Sequence, residues 1–373
     1  MLRSVALNAL FFDPGVSGGT ETYLRGLGPA LAAERPGLEI SVLTTRRGAP
    51  ALAAAGWGAF ARIVALPTDE GQRLRRLWAE QAGVAYHARR HGIDVVHSLG
   101  NTGPLASPVP HVLTVLDVTF FTTDTLPPLS AFAFRQLTAR AAQRADGLIA
   151  ISAAARDEIC RVLPLAAERF TVTPLGPGRA APAEAEPVAA IRARHGLDGA
   201  TVVLCVAAKR PHKNQELLLR ALEHLPASAV VVLVGHAEFY DARLRELAAT
   251  LGVTERVRFL DRVDDAELEA LWQLADCGAF PTLAEGFGLP VVEALRRGVP
   301  VACSDLPVLR EVGGDVPAYF DPHDPAAAAA AIVRALGDAT AGERGPARAA
   351  GFTWAATAQA TLAAYERALA AAR

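Results

Sequence analysis

Short β-branched and apolar runs alternate with stretches of helical period along most of the chain, the pattern of parallel α/β sheets. In the first half, runs at 4–10, 39–44, 61–66, 95–98, 111–115, 147–151 and 171–174 predict strands. Helical patterns fill residues 21–33, 72–90 and 129–144 between them. In the second half, the strand runs are 201–207, 230–235, 256–260, 278–281, 299–303 and 318–320, with helices near 214–225, 241–251, 264–275 and 290–297. The break between the two sets is Gly176-Pro177-Gly178 and the Ala-, Pro- and Glu-rich stretch 179–187. It has no hydrophobic period and reads as a linker. Residues 354–372 predict one long helix with no strand after it. The expected architecture is two Rossmann-like parallel-sheet domains, 1–178 and 179–353, with helix 354–372 completing the first. Ligands are expected in a cleft at the carboxyl ends of the strands.

Composition agrees with this outline and removes several function classes. At 373 residues, 51% hydrophobic and 20% charged, the chain suits two well-packed domains. A net charge of −2 argues against bulk nucleic-acid binding. Cys160, Cys205, Cys277 and Cys303 lack metal-ligand spacing and read as free thiols of a cytosolic protein. Arg3 is followed by a short apolar stretch to Phe12 and then Asp13-Pro14-Gly15, a first strand and turn rather than a secretion signal. No 18-residue apolar run free of charges exists, so no membrane span is expected. The location read from these features is cytoplasmic, with peripheral contact at the inner membrane face left open.

Charge becomes informative at one point. Of 37 basic side chains only two are lysines, Lys209 and Lys213, in the stretch Lys209-Arg210-Pro211-His212-Lys213. Lysine is a compact ammonium on a flexible stem and reaches a phosphate as a point charge. The stretch follows the strand 201–207, and Asn214 is placed to cap the next helix, so the pattern describes an anion site. No glycines flank the lysines, which excludes a P-loop.

A second constellation follows the strand 278–281: Glu285-Gly286-Phe287-Gly288-Leu289-Pro290-Val291-Val292-Glu293-Ala294. Pro290 suits the first helical position, and the two glycines let backbone approach a ligand. Two carboxylates beside a helix N-terminus would repel phosphate, but they serve as acceptors for sugar hydroxyls on either side of a diphosphate.

Glu285-x7-Glu293 within this run resembles the signature of the retaining GT-B glycosyltransferases of family four. Gly235, Arg258–Val263 and Pro300–Val312 follow the same family order, and Gly18-Gly19-Thr20-Glu21 resembles its glycine-rich first loop. The resemblance implies a sugar transfer from a nucleotide-diphosphate sugar (UDP-, GDP- or dTDP-linked) to a saccharide, lipid-linked or small-molecule acceptor. It implies no obligatory cofactor or metal, the nucleotide sugar being a co-substrate. It assigns Lys213 and Arg210 to the diphosphate, Glu285 to donor-sugar hydroxyls and Glu293 to the ribose. Gly286, Phe287, Gly288 and Leu289 form the helix entry at the donor. Backbone around Arg262 meets the base, and Gly18 and Gly19 approach the diphosphate from the first domain. The family's Gly-Arg is Ala207-Ala208 here, for which Lys209 or Arg210 is the expected substitute. Its Thr-x-His-Asp appears as Thr114-Val115-Leu116-Asp117. Leu116 cannot hydrogen-bond, which raises a donor lacking a C6 hydroxyl as an alternative to replacement by a neighbouring group. Asp117 joins the catalytic candidates, and Glu21, His97 and Ser152 are acceptor candidates. Arg73, Arg75, Arg76, Trp78, Arg89 and Arg90 read either as a solvated helix or as a site for an anionic acceptor or lipid. A sugar-nucleotide epimerase and a non-catalytic nucleotide-sugar-binding protein are the rival readings. A Rossmann dehydrogenase is disfavoured, because no Gly-x-Gly-x-x-Gly follows the first strand.

Overall fold

In a computed structural model, residues 1–15, 18–69, 73–122, 128–178, 185–237 and 239–372 are described. Residue 72 of the predicted 72–90 helix and residues 179–184 of the predicted linker lie outside them. The chain divides into two compact units, Met1–Gly176 with Thr353–Arg373, and Pro177–Phe352.

The first unit contains β1 (Ser4–Asn8), β2 (Glu39–Thr44), β3 (Ala61–Ala65), β4 (Val95–Ser98), β5 (His111–Val115), β6 (Gly147–Ala150) and β7 (Phe170–Val172). They form one sheet in the order β3-β2-β1-β4-β5-β6-β7, with every pair parallel. The strand order reverses between β1 and β4. Helix Trp354–Ala371 returns to this unit and lies against helix Gly19–Glu34. Gly26 makes that contact possible, since a methyl there would overlap the Trp354 ring. Thr353 caps the returning helix by accepting from the Ala356 amide at 3.1 Å.

The second unit contains β8 (Thr201–Val206), β9 (Ala229–Val234), β10 (Val257–Leu260), β11 (Cys277–Phe280), β12 (Val301–Ser304) and β13 (Ala318–Phe320). Their order is β10-β9-β8-β11-β12-β13, again all parallel. Here the reversal falls between β8 and β11. Parallel strands covered on both faces read as continuous apolar runs, and β9 (Ala-Val-Val-Val-Leu-Val) is buried at every position. Its core joins β8, β9 and β11 to helices Gln215–Ala221 and Pro325–Leu336. Cys205, Cys277 and Cys303 are buried in this unit, while Cys160 is half-buried in the first.

Helices Gly48–Ala54, Ala153–Val162, Val188–His195, Pro307–Gly313, Pro325–Leu336 and Ala341–Ala349 were not marked by hydrophobic period. The Pro325–Leu336 helix is almost all alanine before Ile332, so polar and apolar faces hardly differ. The 72–90 pattern resolves into helix from Arg73 to Arg90 with one π-helical turn at Ala79–Gly83.

Candidate functional site

In the second unit the loops after β8 and β11 meet at the point where strand order reverses, the place in such sheets where ligands bind. Backbone bonds hold them together. The His212 carbonyl accepts from the Leu283 amide at 2.7 Å and from the Thr282 hydroxyl at 3.0 Å. The latch places Lys213 opposite Glu285, with Nζ 2.5 Å from Oε1. Both side chains are about one-fifth exposed, at 21% and 18%, so the pair is accessible to a ligand. The sequence treated the two as separate contacts, and the fold makes them one.

Asn214 stands at the N-cap of helix Gln215–Ala221, its carbonyl accepting from the Leu217 amide at 3.0 Å, but its side chain is used elsewhere. It sits at φ 55°, and its amide donates to the carbonyls of Pro281 at 3.0 Å and Pro322 at 2.8 Å. Its side chain therefore ties the β8 loop to the segments leaving β11 and β13. Asparagine tolerates this left-handed backbone better than most residues. Gln215, fully buried, donates to the Ala208 carbonyl at 3.0 Å.

Lys209 departs from expectation. Its ammonium is buried, 2.6 Å from the Gly235 carbonyl and 2.8 Å from that of Leu260, with Asp241 at 3.5 Å. Burial depresses its pKa, and Asp241 opposes that shift. This lysine fastens the ends of β9 and β10 and is not a replacement cation for Ala208. Arg210 is exposed at the start of the Pro211–Lys213 turn. His212 is held neutral, its pKa lowered to about 4 by burial and by Lys213 and Arg210. Sequence reading passed over His212 and Thr282, since a carbonyl latch leaves no mark in residue type.

On the β11 side, Gly288 at φ 95° opens helix Leu289–Arg296, and Pro290 is its second residue rather than its first. A Cβ at Gly288 would stand 2.6 Å from Leu309, so both backbone and space demand glycine. Gly286 is buried beside it, and Leu289 is half-buried. The Phe287 side chain is turned into the core, edge-on to Phe352 at 5.6 Å, so only its backbone is available to a ligand. Glu293, half-buried in the helix, lies so close to Gly178 that a methyl at that glycine would overlap its carboxylate. Arg262 is exposed on the loop after β10.

In the first unit, Gly18 is exposed at φ 54° and Gly19 begins the following helix. Glu21 is buried and holds this loop, accepting from the Gly15 amide at 2.8 Å and from Arg25 at 2.7 Å. His97 is fully buried between the Tyr365 hydroxyl at 2.6 Å and Thr114 at 2.7 Å, and burial lowers its pKa to about 3. Ser152 is buried and caps helix Ala153–Val162 through the Ala155 amide at 2.9 Å. These three side chains are committed to the fold, which removes their claim on an acceptor. The Leu116 amide bonds to Asn101 at 2.7 Å, leaving its half-buried side chain at the end of β5. Asp117 accepts from the Thr119 amide at 2.9 Å. Among the described residues no group of His, Cys, Asp and Glu is arranged to hold a metal, and no helix is long and apolar enough to cross a membrane.

Residues 17–176 match the family described as Glycosyltransferase Family 4, and residues 188–348 match Glycosyl transferases group 1. The chain is 31% identical to a D-inositol 3-phosphate glycosyltransferase of Kineococcus radiotolerans, covering 99% of this chain and 96% of that protein. It is 30% identical to O-antigen chain mannosyltransferase B of Escherichia coli, over 68% of this chain and 70% of that one. Among solved structures, Anabaena HepE in complex with UDP and glucose superimposes with a TM-score of 0.74 at 22% identity, over 97% of this chain and 98% of that chain.

Proposed function

The chain belongs to the glycosyl transferases group 1, retaining enzymes of GT-B architecture, and from that premise we propose which residues of this glycosyltransferase carry the transfer. The donor is a nucleotide-diphosphate sugar held by the second unit, and the acceptor is a saccharide, a lipid-linked sugar or a small polyol. The observation that carries the residue assignment is the Lys213–Glu285 pair at the β8/β11 reversal.

In the free enzyme each member neutralises the other, so neither charge is left half-buried and alone. On donor binding the Lys213 ammonium turns to the diphosphate oxygens and the Glu285 carboxylate to hydroxyls of the sugar. As the bond between the anomeric carbon and the leaving oxygen breaks, negative charge grows on the diphosphate. Lys213 and Arg210, with the N-terminus of helix Leu289–Arg296, stabilise that charge without needing to reorganise. Neutral His212 leaves the two flanking residues to supply the positive charge. Glu293 accepts from the ribose. The reaction takes place in the cytoplasm.

A melting-point panel of UDP, GDP, ADP and dTDP identifies the base, since a ligand of the folded state raises the midpoint. Donors carrying that base then serve in a turnover assay. Lys213→Ala is expected to lower kcat by roughly a hundredfold or more, the scale for removing one preorganised partner of a leaving charge, and Glu285→Ala to lower kcat/KM severely by losing its bonds to the donor sugar. Circular dichroism should show both variants folded. Retention of most activity in either variant would overturn this assignment.

A further inference from the structure

Both glycines of the Gly176-Pro177-Gly178 run meet a side chain at a distance that only glycine allows. In the first unit, a methyl on Gly176 would stand 2.6 Å from the Trp354 ring. In the second, a methyl on Gly178 would meet the end of Glu293, with Oε1 at 1.5 Å, Cδ at 2.5 Å and Cγ at 3.0 Å. The Glu293 carboxylate therefore occupies the volume of the side chain that Gly178 lacks. Gly178 is buried and its φ is not positive, so backbone conformation does not demand a glycine there. The demand is for space.

The helix that carries Glu293 is pinned along its length. At its start Gly288 packs against Leu309, and Val291, Val292, Ala294 and Leu295 are buried. Just past its end the Arg297 guanidinium donates to the Glu293 carbonyl at 3.0 Å and to the Glu269 carboxylate at 2.6 Å, and lies over the Trp272 ring at 5.6 Å. Helix Ala341–Ala349 comes so close that a methyl at Gly345 would stand 2.7 Å from the Leu295 carbonyl. The backbone of Glu293 is fixed by these contacts, and its long side chain is the part that can yield. A glutamate stem has several rotamers, and ordering it in one of them requires a wall. The bare backbone at Gly178 is that wall.

We propose that Gly178 is a positioning residue for the nucleotide: by lacking a side chain it seats the Glu293 carboxylate where the ribose hydroxyls can donate to it. The inference rests on the reading of Glu293 as the ribose acceptor and deepens it. Part of the selectivity for ribose then belongs to the segment that enters the second unit, and not to helix Leu289–Arg296 alone. An alanine methyl at 178 pushes the carboxylate aside. The displaced atoms end a flexible stem, so the fold absorbs the change while the hydroxyl contact is lost.

The nucleoside diphosphate selected by the melting-point panel and its 2′,3′-dideoxy analogue are titrated calorimetrically into the full-length parent, G178A, E293A and G178A/E293A. The parent should favour the hydroxylated nucleotide by roughly tenfold or more, the scale of a hydrogen bond to a charged group. G178A should lose most of that preference by weakening the hydroxylated ligand, while the dideoxy analogue binds as it does to the parent. In the E293A background, adding G178A should change neither affinity, since the methyl then has no carboxylate to displace. The melting point of G178A without ligand should stay near that of the parent. A preference lost in E293A but kept in G178A overturns the positioning role and leaves the ribose contact standing. A preference kept in E293A removes the ribose contact and this inference with it. G178A weakening both nucleotides equally, or weakening them further in the E293A background, would mean that residue 178 acts through its backbone, and the inference fails. It fails also if G178A does not fold, because only the carboxylate is expected to move.

Discussion

Lys213 reaches Glu285 at 2.5 Å, whereas Lys209 is turned inward onto the carbonyls of Gly235 and Leu260. The two residues look alike in sequence, and what separates them is which strand ends their stems pass. No local pattern encodes that. We predict that Lys209→Met leaves kcat within a few-fold of the parent and lowers unfolding free energy by about 1–3 kcal/mol, the cost of leaving buried carbonyls unpaired. Urea unfolding measures the second quantity, and unchanged stability with lost turnover would reverse the roles of the two lysines. Leu116 belongs to the same scale. A leucine where the family places a histidine would remove a hydrogen bond from the hydroxyl on the donor's exocyclic carbon. A 6-deoxyhexose or pentose donor is therefore expected to turn over faster than the matching hexose, and a kcat/KM comparison favouring the hexose would dispose of the idea.

Among elements, the strands were legible because parallel strands covered on both faces are apolar throughout, whatever lies beside them. Gln215, Thr282 and Asn214 were less legible, since each acts through a carbonyl on a neighbouring loop and any donor of similar reach would serve. The returning helix was visible as a helix, but its polar attachment was not. Tyr365 bonds to His97 across 268 residues of chain, and Thr114 completes the chain of hydroxyls to Tyr23 at 3.1 Å. His97 and His111 are buried, with pKa values lowered to about 3 and about 4 from the ordinary 6.5. As pH falls below about 6.5 the unfolded chain takes up protons that the folded chain refuses, so the free energy of unfolding falls until about pH 4 to 3. The melting point of the parent should drop over that window. Tyr365→Phe removes one bond to His97 and should cost about 1 kcal/mol or more at neutral pH. A flat melting curve from pH 7 to 4 would contradict the neutral buried imidazoles.

For the whole molecule, the relatives that align along nearly its full length say that both sheets belong to one ancestral design. The sequence motifs, however, cluster in the second unit. The donor chemistry proposed for that unit is common to many sugar transfers and leaves repeated residue types at strand ends. The first unit has few such marks: its helix Arg73–Trp78 turns Leu74, Leu77 and Trp78 to solvent, and only the folded segment reveals that these leucines are the outer ones. The same unit is also the one split by the chain, its strands coming before residue 177 and its covering helix after residue 352. During translation, β5, β6 and β7 leave the ribosome while the helix that lies over them has yet to be made. At about 5–20 residues per second, the intervening stretch takes on the order of ten to forty seconds to synthesise. The unit begun first is therefore the one finished last, and a newly made chain presents an open sheet face until its closing helix arrives.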